Sequence, residues 1–119
     1  MKKSLLGVLL ALSLAACAPA VNRVAGDAAT IARDGTDVVF SNPGPGDAEA
    51  VVLVITGAAV KNDKGECVNL GDGYTLKLGN VAEGKRSRVA LCKTPNTGNV
   101  SWFRPGSARQ YFAFLPALK

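Results

Sequence analysis

From Thr36 to Leu115 the chain alternates between short strand-like runs and turns rich in Gly, Pro, Asn and Asp. That recurrence leaves little room for a helix and favours many short antiparallel strands. Thr36 to Ser41 places Val38 and Phe40 on one face, and the loop Asn42-Pro43-Gly44-Pro45-Gly46-Asp47 cannot continue a ladder. Glu49 to Thr56 holds the β-branched run AVVLVI, the pattern of a central strand covered on both faces. After the polar turn Lys61 to Gly65, a short strand from Glu66 to Leu70 carries Cys67. Tyr74, Leu76 and Leu78 alternate with polar residues, and Arg86 to Lys93 and the run around Val100 and Trp102 follow. Ala108 to Leu115 is the last strand, with Phe112 and Phe114 on one face and Tyr111, Ala113 and Leu115 on the other. About seven strands with turns every ~8–12 residues predict an all-β fold, a small antiparallel β-sandwich, with an open barrel as the alternative.

The N-terminus has a different logic. Met1-Lys2-Lys3-Ser4 is basic, Leu5 to Leu14 is uncharged and apolar, and Ala15, Ala16, Cys17 and Ala18 are small. This order of basic, apolar and small residues is that of a secretory signal peptide, and the run falls short of the ~20 residues a spanning helix needs. Leu14-Ala15-Ala16-Cys17 resembles the lipobox of bacterial lipoproteins. The resemblance implies cleavage before Cys17 and a diacylglycerol on its sulfur, giving a membrane partner through a lipid anchor. It also implies the cell envelope as location, with the outer membrane favoured in a host that has two, because Ala18 is not Asp. Cleavage at Ala18-Pro19-Ala20 instead would discard Cys17.

With residues 1–16 read as signal peptide, residues 17–33 are expected to form a tether and 34–119 the β-sandwich domain. Val24, Ala28 and Ile31 fall at helical spacing in that tether, while an edge strand around Thr30-Ile31-Ala32 competes. If Cys17 carries lipid, the other two of the three cysteines, Cys67 and Cys92, remain as an even pair in an oxidising compartment. A disulfide between them would staple a small core, although Cys92 shares a strand face with Arg86 and Arg88; two separate buried thiols are the alternative.

Two stretches, VVFSNPGPGDAEAVVLVI and LKLGNVAEGKRSRVAL, are similar to strand–turn–strand segments of immunoglobulin-like domains common in bacterial surface proteins. That resemblance implies an immunoglobulin-like sandwich acting as a spacer or binding module. It transfers no active-site residue and does not include the cysteine pair.

The chain has no histidine, which removes Ser-His-Asp and Cys-His catalysis and most zinc sites. The acids sit mostly in turns, and no glycine-rich stretch continues into a phosphate loop. No enzyme activity, cofactor or metal is therefore expected. Charge is uneven: residues 17–80 hold five basic and eight acidic side chains, residues 81–119 seven and one. Arg86, Arg88, Phe103, Arg104, Arg109 and Tyr111 on the last strands form a candidate binding surface, since arginine beside an exposed aromatic suits anionic or sugar ligands. The expected partner is an anionic envelope polymer or a protein, not nucleic acid. The expected function is a lipid-anchored, non-catalytic structural or binding module, with a periplasmic small-ligand-binding or inhibitor module as the alternative.

Overall fold

The computed structural model describes residues 21–23, backbone only, and 26–118. All regular structure in them is strand: β1 (Val21–Arg23), β2 (Thr30–Asp34), β3 (Asp37–Asn42), β4 (Ala48–Thr56), β5 (Ala58–Lys61), β6 (Cys67–Gly71), β7 (Tyr74–Val81), β8 (Lys85–Val89), β9 (Thr97–Phe103) and β10 (Gln110–Phe114). Two four-stranded antiparallel sheets, ordered β1-β2-β3-β8 and β10-β9-β4-β7, pack face to face, and β5-β6 is a separate hairpin. The fold is a small β-sandwich.

Two period-2 faces meet in its core. Sheet one contributes Ile31, Val38 and Phe40, and sheet two Val51, Leu53, Ile55, Val100 and Trp102, all at most 1% exposed. Trp102 fills the centre, with its ring centroid 5.3 Å from that of Phe40 and 6.0 Å from that of Tyr111. Truncating a side chain of that size in a packed core costs about 3–5 kcal/mol.

Three sequence expectations are corrected here. The domain does not begin at residue 34: β1 and β2 carry it back to Val21, into the stretch read as tether, and the strand alternative at Thr30 is the one adopted. Ile31 decides this, because it pairs with Phe40 and is fully buried. β4 is central in its sheet but not covered on both faces, since Val52 and Val54 look outward and are only half-buried. The strand predicted to run from Arg86 to Lys93 ends at Val89, so Cys92 lies beyond it and need not share the arginine face.

Cys67 and Cys92 are disulfide-bonded, 25 residues apart in sequence. The bond fastens the β5-β6 hairpin, not the two sheets, to the segment after β8. The backbone reinforces it: the Ala59 carbonyl accepts from Cys92 N at 2.9 Å, and Ala59 bridges to Lys93. The hairpin carries the exposed turn from Asn62 to Glu66, in which the Asn62 side chain accepts from Lys64 N and Glu66 N.

The order β2-β3-β8 facing β10-β9-β4-β7 is a Greek-key arrangement of the kind immunoglobulin-like sandwiches use. Two of that fold's hallmarks differ. The buried Trp is on β9 instead of β4, and the disulfide lies outside the inter-sheet core.

Candidate functional site

The six residues of the candidate surface do not converge. Arg86 and Arg88 are on β8 in one sheet, whereas Phe103, Arg104, Arg109 and Tyr111 belong to β9, β10 and their connection in the other.

Arg104 is a structural clamp, and with Tyr111 it also lines an open depression of ≈ 570 Å³ beside Asp27, Gly44 and Pro45. Its side chain is 12% exposed and that of its partner Asp27 3%. Arg104 Nη2 donates to Asp27 Oδ1 at 2.7 Å and Nε to Oδ2 at 2.9 Å. Nη1 donates to Asn42 Oδ1 at 2.7 Å and to the Gly46 carbonyl at 3.1 Å. Asp27 also accepts from Ala29 N at 2.8 Å and from the Trp102 indole at 3.3 Å. Burial alone would push the Asp27 carboxyl up. The hydrogen bonds from Arg104, Ala29 and Trp102 outweigh it and hold the group below the ordinary carboxylate range. The bond to Asp27 likewise raises Arg104.

Asn42, 1% exposed, completes this network: its amide donates to Val81 O at 2.8 Å and Gly46 O at 3.0 Å, and its oxygen also accepts from Gly44 N at 3.1 Å. The Pro-Gly loop is thus folded back onto the end of β9. Gly44 has φ +99°, and a Cβ there would sit 2.6 Å from Glu83, whose carboxylate takes Gly46 N. The left-handed φ is what calls for glycine, and an added Cβ would also push the Glu83 side chain off Gly46 N.

Tyr111 is half-buried. It pairs with Trp102 across β9 and β10, faces inward and packs on the core, while Arg109 caps its ring at 5.2 Å. Phe103 does face outward, alternating with buried Trp102.

On the other sheet, Arg88 donates to Asp34 at 2.6 Å and Asp37 at 3.0 Å. Asp37 is held below the ordinary range by Leu91 N and then by Arg88. Arg88 is therefore locally neutralised. Arg86 forms no ion pair among the described residues. It stands in a cross-strand row with Ser41 and Thr30 on the outer face. Lys85, also without an ion pair among the described residues, lines the same ≈ 440 Å³ depression, and a neighbouring one of ≈ 260 Å³ shares Thr30, Ser41 and Arg86. Two cations beside two hydroxyls can take a phosphate or carboxylate by charge-assisted hydrogen bonds.

Sequence reasoning missed three residues that matter: Asp27, Asn42 and Arg33. Arg33 donates to Pro116 O and Pro95 O, both at 2.6 Å, and to Thr94 Oγ1 at 2.9 Å, holding the C-terminal segment without a carboxylate. Nothing local marks them, because apart from Ala29 beside Asp27 and Gly44 and Gly46 in the Asn42 loop their partners lie 39 to 83 residues away. Cys17 lies outside the described residues. Among the described residues no three His, Cys, Asp or Glu gather as a metal site. No family model matches the chain, and neither a curated protein nor a solved structure matches it.

Proposed function

We propose that the chain is a lipid-anchored cell-envelope lipoprotein whose β-sandwich is a non-catalytic structural or binding module. The cysteine arrangement carries this reading. Cys67 and Cys92 bond to each other, which leaves Cys17, inside Leu14-Ala15-Ala16-Cys17, as the third cysteine, and a disulfide suits an oxidising compartment. The absence of histidine removes Ser-His-Asp and Cys-His catalysis and so supports a non-catalytic module. Trp102, Phe40 and their neighbours fill the inter-sheet space, which favours a surface contact over an enclosed ligand. The contact surface for an anionic partner narrows to Arg86 with Ser41 and Thr30 on the outer face of the β1-β2-β3-β8 sheet, with Lys85 at the start of β8 lining the same depression.

The test is acylation in cells. The wild-type chain should incorporate labelled palmitate and yield an N-terminal peptide whose mass includes diacylglycerol on Cys17, and Cys17→Ser should incorporate none. Absence of label in the wild type, or equal label in both, would overturn the anchor.

A further inference from the structure

The outer face of the β10-β9-β4-β7 sheet is graded. One cross-strand row runs Phe112, Ser101, Val52, Lys77, and the next Phe114, Asn99, Val54, Thr75. Apolar bulk is therefore greatest on β10, at one edge, and gives way to polar side chains on β7, at the other. Phe112 is 50% and Phe114 66% exposed, and Leu118 beyond them is 48% exposed. Edge strands in water are ordinarily guarded by charge or proline; β10 instead offers phenylalanines. A cluster of large apolar side chains at one edge marks a surface that meets something apolar.

The topology says what lies beside that edge. β1 is the edge strand of the facing sheet, and it touches β10. The two therefore form one margin of the sandwich. Cys17 stands four residues before Val21, and four extended residues reach at most about 14 Å. A lipid on Cys17 would hold this margin beside the bilayer surface, whereas β7 lies three strands further away, about 14 Å at ordinary strand spacing.

We infer that the β1/β10 margin rests on the membrane, with Phe112, Phe114 and Leu118 entering the headgroup–acyl boundary of the bilayer that holds the anchor. This rests on the lipoprotein reading. Apolar side chains of amphipathic surfaces enter that boundary to a depth of ~5–10 Å. The anchor then fixes orientation as well as location: β1/β10 faces the lipid, and the β7 edge points away from it.

The test reads depth in the lipidated protein reconstituted into phosphatidylcholine vesicles, with and without bromine on the acyl chains. Phe112→Trp and, separately, Phe114→Trp add a second indole to the buried Trp102, and Tyr74→Trp adds one on β7, where Tyr74 is 40% exposed. The added emission at 112 or 114 should shift to the blue in vesicles and be quenched by the brominated lipid. That at 74 should do neither. Quenching at 112 and 114 no greater than at 74 overturns the inference. So does a blue shift without quenching that grows with protein concentration, which would assign the face to a second copy of the chain. The mass of the N-terminal peptide separates the two readings. A lipidated chain without quenching defeats the membrane-resting margin alone, and a chain with an unmodified Cys17 that does not float with the vesicles defeats the anchor and the margin together.

Discussion

Arg104 meets Asp27 through two contacts, Nη2 to Oδ1 at 2.7 Å and Nε to Oδ2 at 2.9 Å, and so ties the end of β9 to the segment before β2. Removing one member of a buried, bonded pair leaves the other charge uncompensated, at a cost of about 3–5 kcal/mol. Arg104→Met should therefore lower the urea midpoint strongly. Asp27→Asn with Arg104→Met should cost less than the two single changes added together, because the surviving charge is gone. Additive losses in urea titrations would show that the contact carries little coupling.

Acid should act through Asp27 of this pair and through Asp37 beside Arg88. The carboxyls of Asp27 and Asp37 both lie below their ordinary range in the folded chain. The unfolded chain thus takes up protons first as pH falls, so stability rises with pH in that window. The contribution is complete above the unfolded value of about 4 and is lost as pH falls through the folded values. Urea midpoints should be flat from neutral pH to about pH 5 and drop below about pH 4. Asp27→Asn should make the drop shallower; a slope identical to wild type would remove Asp27 from the account.

The disulfide closes a 25-residue separation, worth about 3.5 kcal/mol if the whole chain unfolded around it. It pins a hairpin outside the main core, so its loss should be felt locally first. Cys67→Ser with Cys92→Ser should speed amide exchange across β5 and β6 while the amides of β4 and β9 stay protected. Equal loss of protection in all four strands would mean that the hairpin and sandwich unfold as one.

Ala50 has φ 49°, at the register shift between Ala48 and Val51 in β4. An L-residue in that region costs about 1–2 kcal/mol, more than glycine's extra unfolded-state freedom of ~0.5–1 kcal/mol. Ala50→Gly should leave thermal stability unchanged or raise it. Ala48→Gly, at a buried position two residues away, should lower it. The same loss at both positions would argue against the left-handed bulge.

Arg86 and Arg88 separate binding from stability. Arg86→Glu should weaken retention on an anionic polymer, with a salt dependence, and shift stability by less than about 0.5 kcal/mol. Arg88→Glu should destabilise the chain by setting a third acid beside Asp34 and Asp37. Unchanged retention by the Arg86 variant would return that face to a solvated edge.

Much of the local structure was legible. Pro43 to Gly46 breaks the chain where β3 ends, Leu76 and Leu78 turn inward, and Phe112 and Phe114 look away from Ala113, all as alternation predicts. The strand β2, which lies between β1 and β3, was legible only as a competitor to a helix, because Ile31 is its one large apolar residue. The arginine surface was legible strand by strand but not as a whole. Alternation assigns each side chain to a face of its own strand but does not say which sheet the strand joins. Arg86 and Arg104 therefore looked like neighbours.

By itself, the sequence determined the β class and the turn positions, because these follow from φ preferences and period-2 patterning. Only the tertiary structure decided the rest. It sent β8 to one sheet and β9 and β10 to the other, buried Arg104 against Asp27, and set the phenylalanine edge of β10 beside β1. Those outcomes depend on pairings between residues far apart in the chain, such as the 77 positions between Asp27 and Arg104, and no local pattern records such a choice.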